Sequence, residues 1–129
     1  MFTIQQIQTA HSKVQSGADF PKYIKEIKQL GILSYETYVT DGQTVYFGLD
    51  EYKLSSSAKY ESLPIASTVA VEAFKNDLKA HQQGQTDYPT FCRDCAKSGI
   101  EKWMISTEKM TCSYYDLQGN EVLIELIPQ

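Results

Sequence analysis

Asp19-Phe20-Pro21-Lys22-Tyr23-Ile24-Lys25-Glu26, running on to Gly31-Ile32, occurs twice in this chain: it returns as Asp87-Tyr88-Pro89-Thr90-Phe91-Cys92-Arg93-Asp94, running on to Gly99-Ile100. The offset is 68 residues and holds without a gap as far as Tyr46-Phe47 against Tyr114-Tyr115. Asp, Pro, Gly, Ile and Tyr recur identically, and Phe20/Tyr88, Tyr23/Phe91, Lys25/Arg93, Glu26/Asp94 and Tyr35/Trp103 replace like with like. Chance does not keep one register over such a span, so the chain reads as a tandem repeat, with copies over about residues 2–56 and 66–127. Each copy of the stretch has the marks of a helix. Asp is the N-cap, Pro sits in the first turn where its missing N–H has no intrahelical partner, and Gly supplies the left-handed stop.

Upstream of each copy lies a second helical pattern. Thr3-Ile4-Gln5-Gln6 reads as a capping box opening a helix over about residues 4–16, with stripe Ile4, Ile7, His11 and Val14 and a stop at Ser16-Gly17. At an offset of 67, Val71, Phe74, Leu78 and His81 repeat that stripe in a helix of about 67–82 opened by Ser67 or Thr68, and Gly84 matches Gly17. Downstream the period changes to two. Leu33, Tyr35, Thr37 and Val39 alternate with Ser34, Glu36 and Tyr38, and Asp41-Gly42 predicts a type I′ hairpin turn before a return strand at 44–48. Tyr52-Lys53-Leu54 suggests a short third strand. In the second copy strands are expected at about 101–107, 110–116 and 121–127, the last apolar enough for an inner strand.

The fold expected is therefore α+β: each half gives two helices and then a two- or three-stranded antiparallel meander, the halves are related by a pseudo-twofold axis, and the helices pack on antiparallel sheet. Halves of about 65 residues are marginal alone, so residues 1–129 are expected to be one domain with a shared core. A net charge of -4 and a single arginine, Arg93, argue against nucleic acid. No apolar run is long enough to span a membrane, the N-terminus resembles no export signal, and three cysteines make no disulfide framework. The cytoplasm is the expected location.

The Asp-Phe-Pro helix, Tyr35-Glu36-Thr37-Tyr38 before Asp41-Gly42, Ala58-Lys59-Tyr60, and His81-Gln82-Gln83-Gly84 leading into Asp87-Tyr88-Pro89 together resemble the YbcV-like family of small bacterial and prophage proteins, often labelled "phage envelope protein". The resemblance covers essentially the whole chain. It implies a bacterial or prophage setting and brings no catalytic residues.

Cys92-Arg93-Asp94-Cys95 has the spacing of a redox motif or of half a zinc site, which Cys112 and His81 would complete. The repeat favours a plainer role, since the counterparts of Cys92 and Cys95 are Ile24 and Ile27. His11 and His81 each sit in the stripe of a first helix, at its wet edge or, if the helices meet about the axis, as a pair able to bind a ligand. Nine tyrosines are many for this length, and Tyr38, Tyr46, Tyr52 and Tyr114 fall in the strands and central loop, where rings with polar tips suit a pocket or partner face. No nucleophile elbow, phosphate-binding loop or His-Glu-x-x-His is present. The reading is a non-enzymatic binding or interaction protein, a homo-oligomer without cofactor, holding a protein partner or small apolar ligand through an aromatic-rich sheet face or an inter-repeat groove. The alternatives are a small metal-dependent protein or enzyme using His and Cys, and a phage virion component.

Overall fold

The computed structural model describes residues 1–15 and 19–127, so the stop expected at Ser16-Gly17 lies outside the described residues. Helix α1 (Ile4–His11) opens in the capping box: Thr3 Oγ1 accepts from the Gln6 amide at 3.2 Å, and Gln6 Oε1 accepts from the Thr3 amide at 2.9 Å. It ends at His11 and not near residue 16. The amides of Lys13 and Val14 turn to the carbonyls of Ala10 and His11, and the Ser12 hydroxyl takes the Thr9 carbonyl, so the last turn tightens and closes. Helix α2 (Phe20–Gln29) carries Pro21 in its first turn, buries Tyr23, Ile24 and Ile27, and gives way to Gly31 at φ 102°.

Helix α3 (Val71–Gln82) starts later than expected, and neither Ser67 nor Thr68 caps it; its N-cap is Ala70. The reason is a competing partner. The amides of Ala66 and Ala70 donate to the carbonyls of Ala96 and Ser98, at the end of helix α4 (Tyr88–Lys97), which holds the 66–70 segment outside the helical path. Helix α4 is capped as read, Asp87 Oδ1 accepting from the Thr90 amide at 2.9 Å.

Strands β1 (Ser34–Tyr38), β2 (Thr44–Phe47) and β3 (Lys53–Ser55) form one meander, and β4 (Lys102–Ser106), β5 (Thr111–Tyr115) and β6 (Glu121–Leu126) another. They join in a six-stranded sheet of order β3-β2-β1-β4-β5-β6 with every pairing antiparallel. The join is β1 against β4. Glu36 pairs with Met104, the residue 68 positions on, and a 68-residue shift turns the pair Ser34↔Ser106 into the pair Tyr38↔Lys102. The register Ser34↔Phe47 in β1–β2 recurs, shifted by 68, as Lys102↔Tyr115 in β4–β5. The correspondence slips only at β6, where Tyr114 pairs with Leu123 and Tyr115 with Glu121, leaving Val122 in a bulge.

Two local expectations are corrected. The first hairpin is not a type I′ turn: Gly42 has φ 77° but Asp41 is not in the left-handed region, and the loop closes through Gly42 N–H to the Tyr38 carbonyl, 2.8 Å, and Tyr38 N–H to the Gln43 carbonyl, 2.9 Å. The Asp41 carboxylate prefers to accept from the Gln43 amide, an Asx-type turn that needs no positive φ at Asp41. At the position matching Gly42, Met110 adopts φ 53°, a strain of about 1–2 kcal/mol offset by burial of its side chain. The second correction is that β6 is an edge strand, not an inner one. Its apolar residues divide between a half-buried Leu123 and an exposed Ile124 and Leu126.

Side chains on one sheet face, among them Tyr35, Tyr46, Trp103, Ile105, Cys112 and Tyr114, are buried and belong to one apolar cluster with Ile7, Ile24, Ile27, Phe74, Leu78, Phe91 and Cys95 of the helices. Phe74 meets the Tyr114 ring edge-on at 5.0 Å, and Phe91 lies 5.7 Å from Trp103. The helix-end glycines bear different loads. A Cβ on Gly99, at φ 84°, would stand 2.9 Å from the Thr68 carbonyl oxygen and 3.1 Å from Val69 Cα, whereas one on Gly84, at φ 80°, would meet nothing within 4 Å. In urea denaturation Gly84→Ala should cost about 1 kcal/mol, the price of the left-handed conformation alone. Gly99→Ala should cost about 3 kcal/mol or more, since backbone must also move; equal losses would contradict this packing.

Candidate functional site

The pleat sends Ser34, Glu36 and Tyr38 of β1, Val45 and Phe47 of β2, Lys102, Met104 and Ser106 of β4, Thr111, Ser113 and Tyr115 of β5, and Ile124 and Leu126 of β6 to the opposite sheet face. Where β1, β4 and β5 end, Lys102 is held on three sides. Its ammonium lies 3.2 Å from Glu36 Oε1, 5.8 Å from the centroid of the Tyr38 ring and 5.5 Å from that of Tyr115. The other carboxylate oxygen of Glu36 accepts from the Tyr38 hydroxyl at 3.1 Å. Burial works against the Lys102 charge, but the Glu36 carboxylate, with Tyr38 and Glu101 behind it, outweighs burial and holds the ammonium pKa above its ordinary 10.5. Burial and the same carboxylate push the Tyr38 phenol up. With its charge matched by Glu36, the ammonium still has N–H groups to offer a carbonyl.

Beside this cluster the face forms a concavity of about 400 Å³. Met104, Leu33 and Ile124 give it apolar patches, Ser34, Ser106, Thr111, Ser113 and Tyr115 line it with hydroxyls, and Glu108, Lys109 and Glu121 stand around it. Such a surface offers both apolar contact and several hydrogen bonds.

The structure separates the residues singled out in the sequence. Tyr38 is on this face. Tyr46 and Tyr114 are buried on the other one. Tyr52 holds the N-terminal segment, its hydroxyl donating to the Phe2 carbonyl at 2.8 Å and its ring edge-on to Phe2 at 4.7 Å. His11 lies at the end of α1 with part of its surface in solvent and its ring edge-on to Tyr23 at 5.3 Å; partial desolvation, followed by the Lys59 ammonium, lowers its pKa. His81 stacks on Phe91 at 4.4 Å, with Nδ1 3.1 Å from the Thr86 carbonyl oxygen.

All three cysteines are free and buried. Burial pushes the Cys92 thiol up, an effect that the hydroxyls of Tyr60 and Tyr88 and the Lys59 charge only partly oppose, and burial pushes Cys112 to about 12. Thiols of this kind stay protonated near neutrality and are poor nucleophiles. Among the described residues no group of three or more His, Cys, Asp or Glu side chains could hold a metal ion, so Cys92, Cys95, Cys112 and His81 do not gather into a site. Missed in the sequence were Lys102, Glu36 and Tyr115. The period-two spacing of Glu36 and Tyr38 puts these two on one face, but no local signal shows that Lys102 lies across from them.

The chain belongs to a family described as "Protein of unknown function (DUF1398)", which matches residues 8–126. No curated protein matches it. No helix among the described residues is long and apolar enough to cross a membrane.

The Lys102–Glu36 ion pair sets a pH dependence. A lysine whose folded pKa is raised contributes stability that is full below its unfolded value and is lost as pH rises through the folded one. With the Lys102 and Glu36 side chains 25% and 18% exposed, Lys102→Met should cost about 1 kcal/mol near pH 7. Denaturant titrations should show that deficit shrinking as pH rises beyond 10.5; a deficit constant with pH would mean that Lys102 acts by packing alone.

Proposed function

We propose that this member of the DUF1398 family is a non-enzymatic binding protein that engages a protein partner through the sheet face centred on Tyr38, Lys102 and Tyr115. One observation carries the reading: the ammonium of Lys102 is positioned by Glu36 and two tyrosine rings on that face, where the inner strands β1, β4 and β5 end, beside a hydroxyl-lined concavity. A cluster already fixed in place loses little entropy when a partner arrives.

The architecture that supports it is a duplicated one. In this reading the halves are copies related by a pseudo-twofold axis at Glu36↔Met104, they share one core in a single domain, and their four helices cover one side of the sheet while the other stays open. Support comes from α2 and α4, and β1 and β4, whose limits lie 68 residues apart at both ends, and from the ring contacts that link the helices to the Tyr114 and Trp103 side. The resemblance to YbcV-like proteins extends the proposal to a bacterial or prophage setting and the cytoplasm, with a virion role as one form that partner binding would take.

The concavity favours a second reading, a small ligand with apolar and hydrogen-bonding parts. The two are separated by placing a photo-crosslinking phenylalanine at Tyr38 or Tyr115 in host cells, with exposed Lys25 as control. Discrete protein adducts from the face positions and none from Lys25 are expected. Adducts at all three alike would overturn the proposal, and no adduct, with a small molecule retained in native mass spectrometry, would give the site to the second reading.

A further inference from the structure

We propose that β6 is the contact edge of a symmetric dimer, in which a second copy of this chain adds its own β6 antiparallel and continues the sheet. Strand β6 ends the sheet, and among the described residues nothing pairs with its outer side. The Ile127 amide donates inward, to the Met110 carbonyl at 2.7 Å. Backbone groups of an antiparallel strand alternate between its two sides, so those of Ile124 and Leu126 point away from β5. The same two residues carry the exposed apolar side chains, at 52% and 82%. Unpaired peptide groups and apolar surface therefore coincide on one short segment. Edges that avoid pairing are kept short or carry lysine, as β3 does with Lys53; β6 is twice as long and has none.

Parity and charge select the register. Side chains opposite one another must share a sheet face, so the twofold axis passes through a residue and not between two. An axis at Glu125 would oppose two carboxylates, and one at Leu123 would set Glu125 against Glu121. An axis at Ile124 pairs that residue with itself through its outward N–H and C=O, and sets each Glu125 against Leu123 of the other copy. Leu123 and Leu78 line a groove of about 390 Å³ between α3 and β6 with Lys75, Lys79, Gln82 and Glu125 of the same copy, where Glu125 Oε1 accepts from Gln82 Nε2 at 3.0 Å. The Glu125 of the second copy then meets a groove whose own charges are two ammonium groups and one carboxylate, a net positive site in a chain that is otherwise acidic. The contact also bears on the open face, because Ile124 and Glu121 already line its concavity and the second copy would extend that wall.

Sedimentation equilibrium and native mass spectrometry of the full chain provide the test. The chain should run at about twice its 14.6 kDa mass at micromolar concentration. Ile124→Pro removes only an outward amide, so the circular dichroism should stay unchanged while the dimer is lost. Leu126→Lys, and separately Lys75→Glu with Lys79→Glu, should each weaken dimerisation by about tenfold or more, and adding Glu125→Lys to the double variant should restore it. Leu49→Lys, an exposed apolar position away from the edge, should change nothing. A chain that is monomeric at about 100 µM, or a dimer indifferent to Leu126→Lys and to the charge reversal, would overturn the proposal. These readouts concern the sheet edge, so they fail or succeed independently of crosslinking from the face.

Discussion

Five residue pairs between β1 and β4, from Ser34↔Ser106 to Tyr38↔Lys102, are where the two meanders become one sheet. Neither three-stranded meander is expected to stand alone, because so small a sheet buries too little on one side to offset the entropy of ordering it. Joined, they place Tyr35, Thr37, Trp103 and Ile105 in the middle of a continuous buried face. The same join brings Tyr38 beside Lys102 on the opposite face, although they are far apart in sequence. The pairing that makes the core therefore also makes the candidate site, and disturbing one disturbs the other.

The buried side carries threonine and tyrosine hydroxyls, and the structure keeps them satisfied. Thr37 and Thr44 share a hydrogen bond at 3.0 Å, the Tyr60 hydroxyl donates to the Val39 carbonyl, and Thr107 donates to the Ile32 carbonyl at 2.7 Å. No buried side-chain nitrogen or oxygen among the described residues lacks a partner. This matters because an unpaired hydroxyl in such a core costs about 1–3 kcal/mol. Tyr60 and Lys59 come from the long segment between β3 and α3, which the Asp41 carbonyl holds through both their amides. Tyr60 and Lys59 both act on the Cys92 thiol, which is buried.

Legibility in the sequence followed the range of the interactions. The ends of α2 and α4 could be read because Pro and Gly act through their own backbone, and the strands because burial on one face enforces period two. Cys92 and Cys95 are buried like Ile24 and Ile27, as their matching positions suggested. What could not be read depends on partners distant in sequence. The start of α3 is moved by carbonyls at the end of α4. The identity of the open face was hidden because Val45 and Ser113, opposite in character, lie at equivalent positions and both point there, while Thr44 and Cys112 point inward. Strand β6 looked internal because its composition is apolar; composition reports what a surface can bury, not whether this chain buries it.

The measurement closest to the central claim, that both halves form one cooperative structure through β1 and β4, is native-state hydrogen exchange followed residue by residue. Amides in the β1–β4 ladder should be the slowest in the molecule and should share one opening free energy, equal to that of global unfolding, whether they belong to the first half or the second. Protection should decline outward along the sheet toward β3 and β6. Two plateaus, one for each half, would mean that the halves unfold separately, and the account of a shared core and of a site built across it would be wrong.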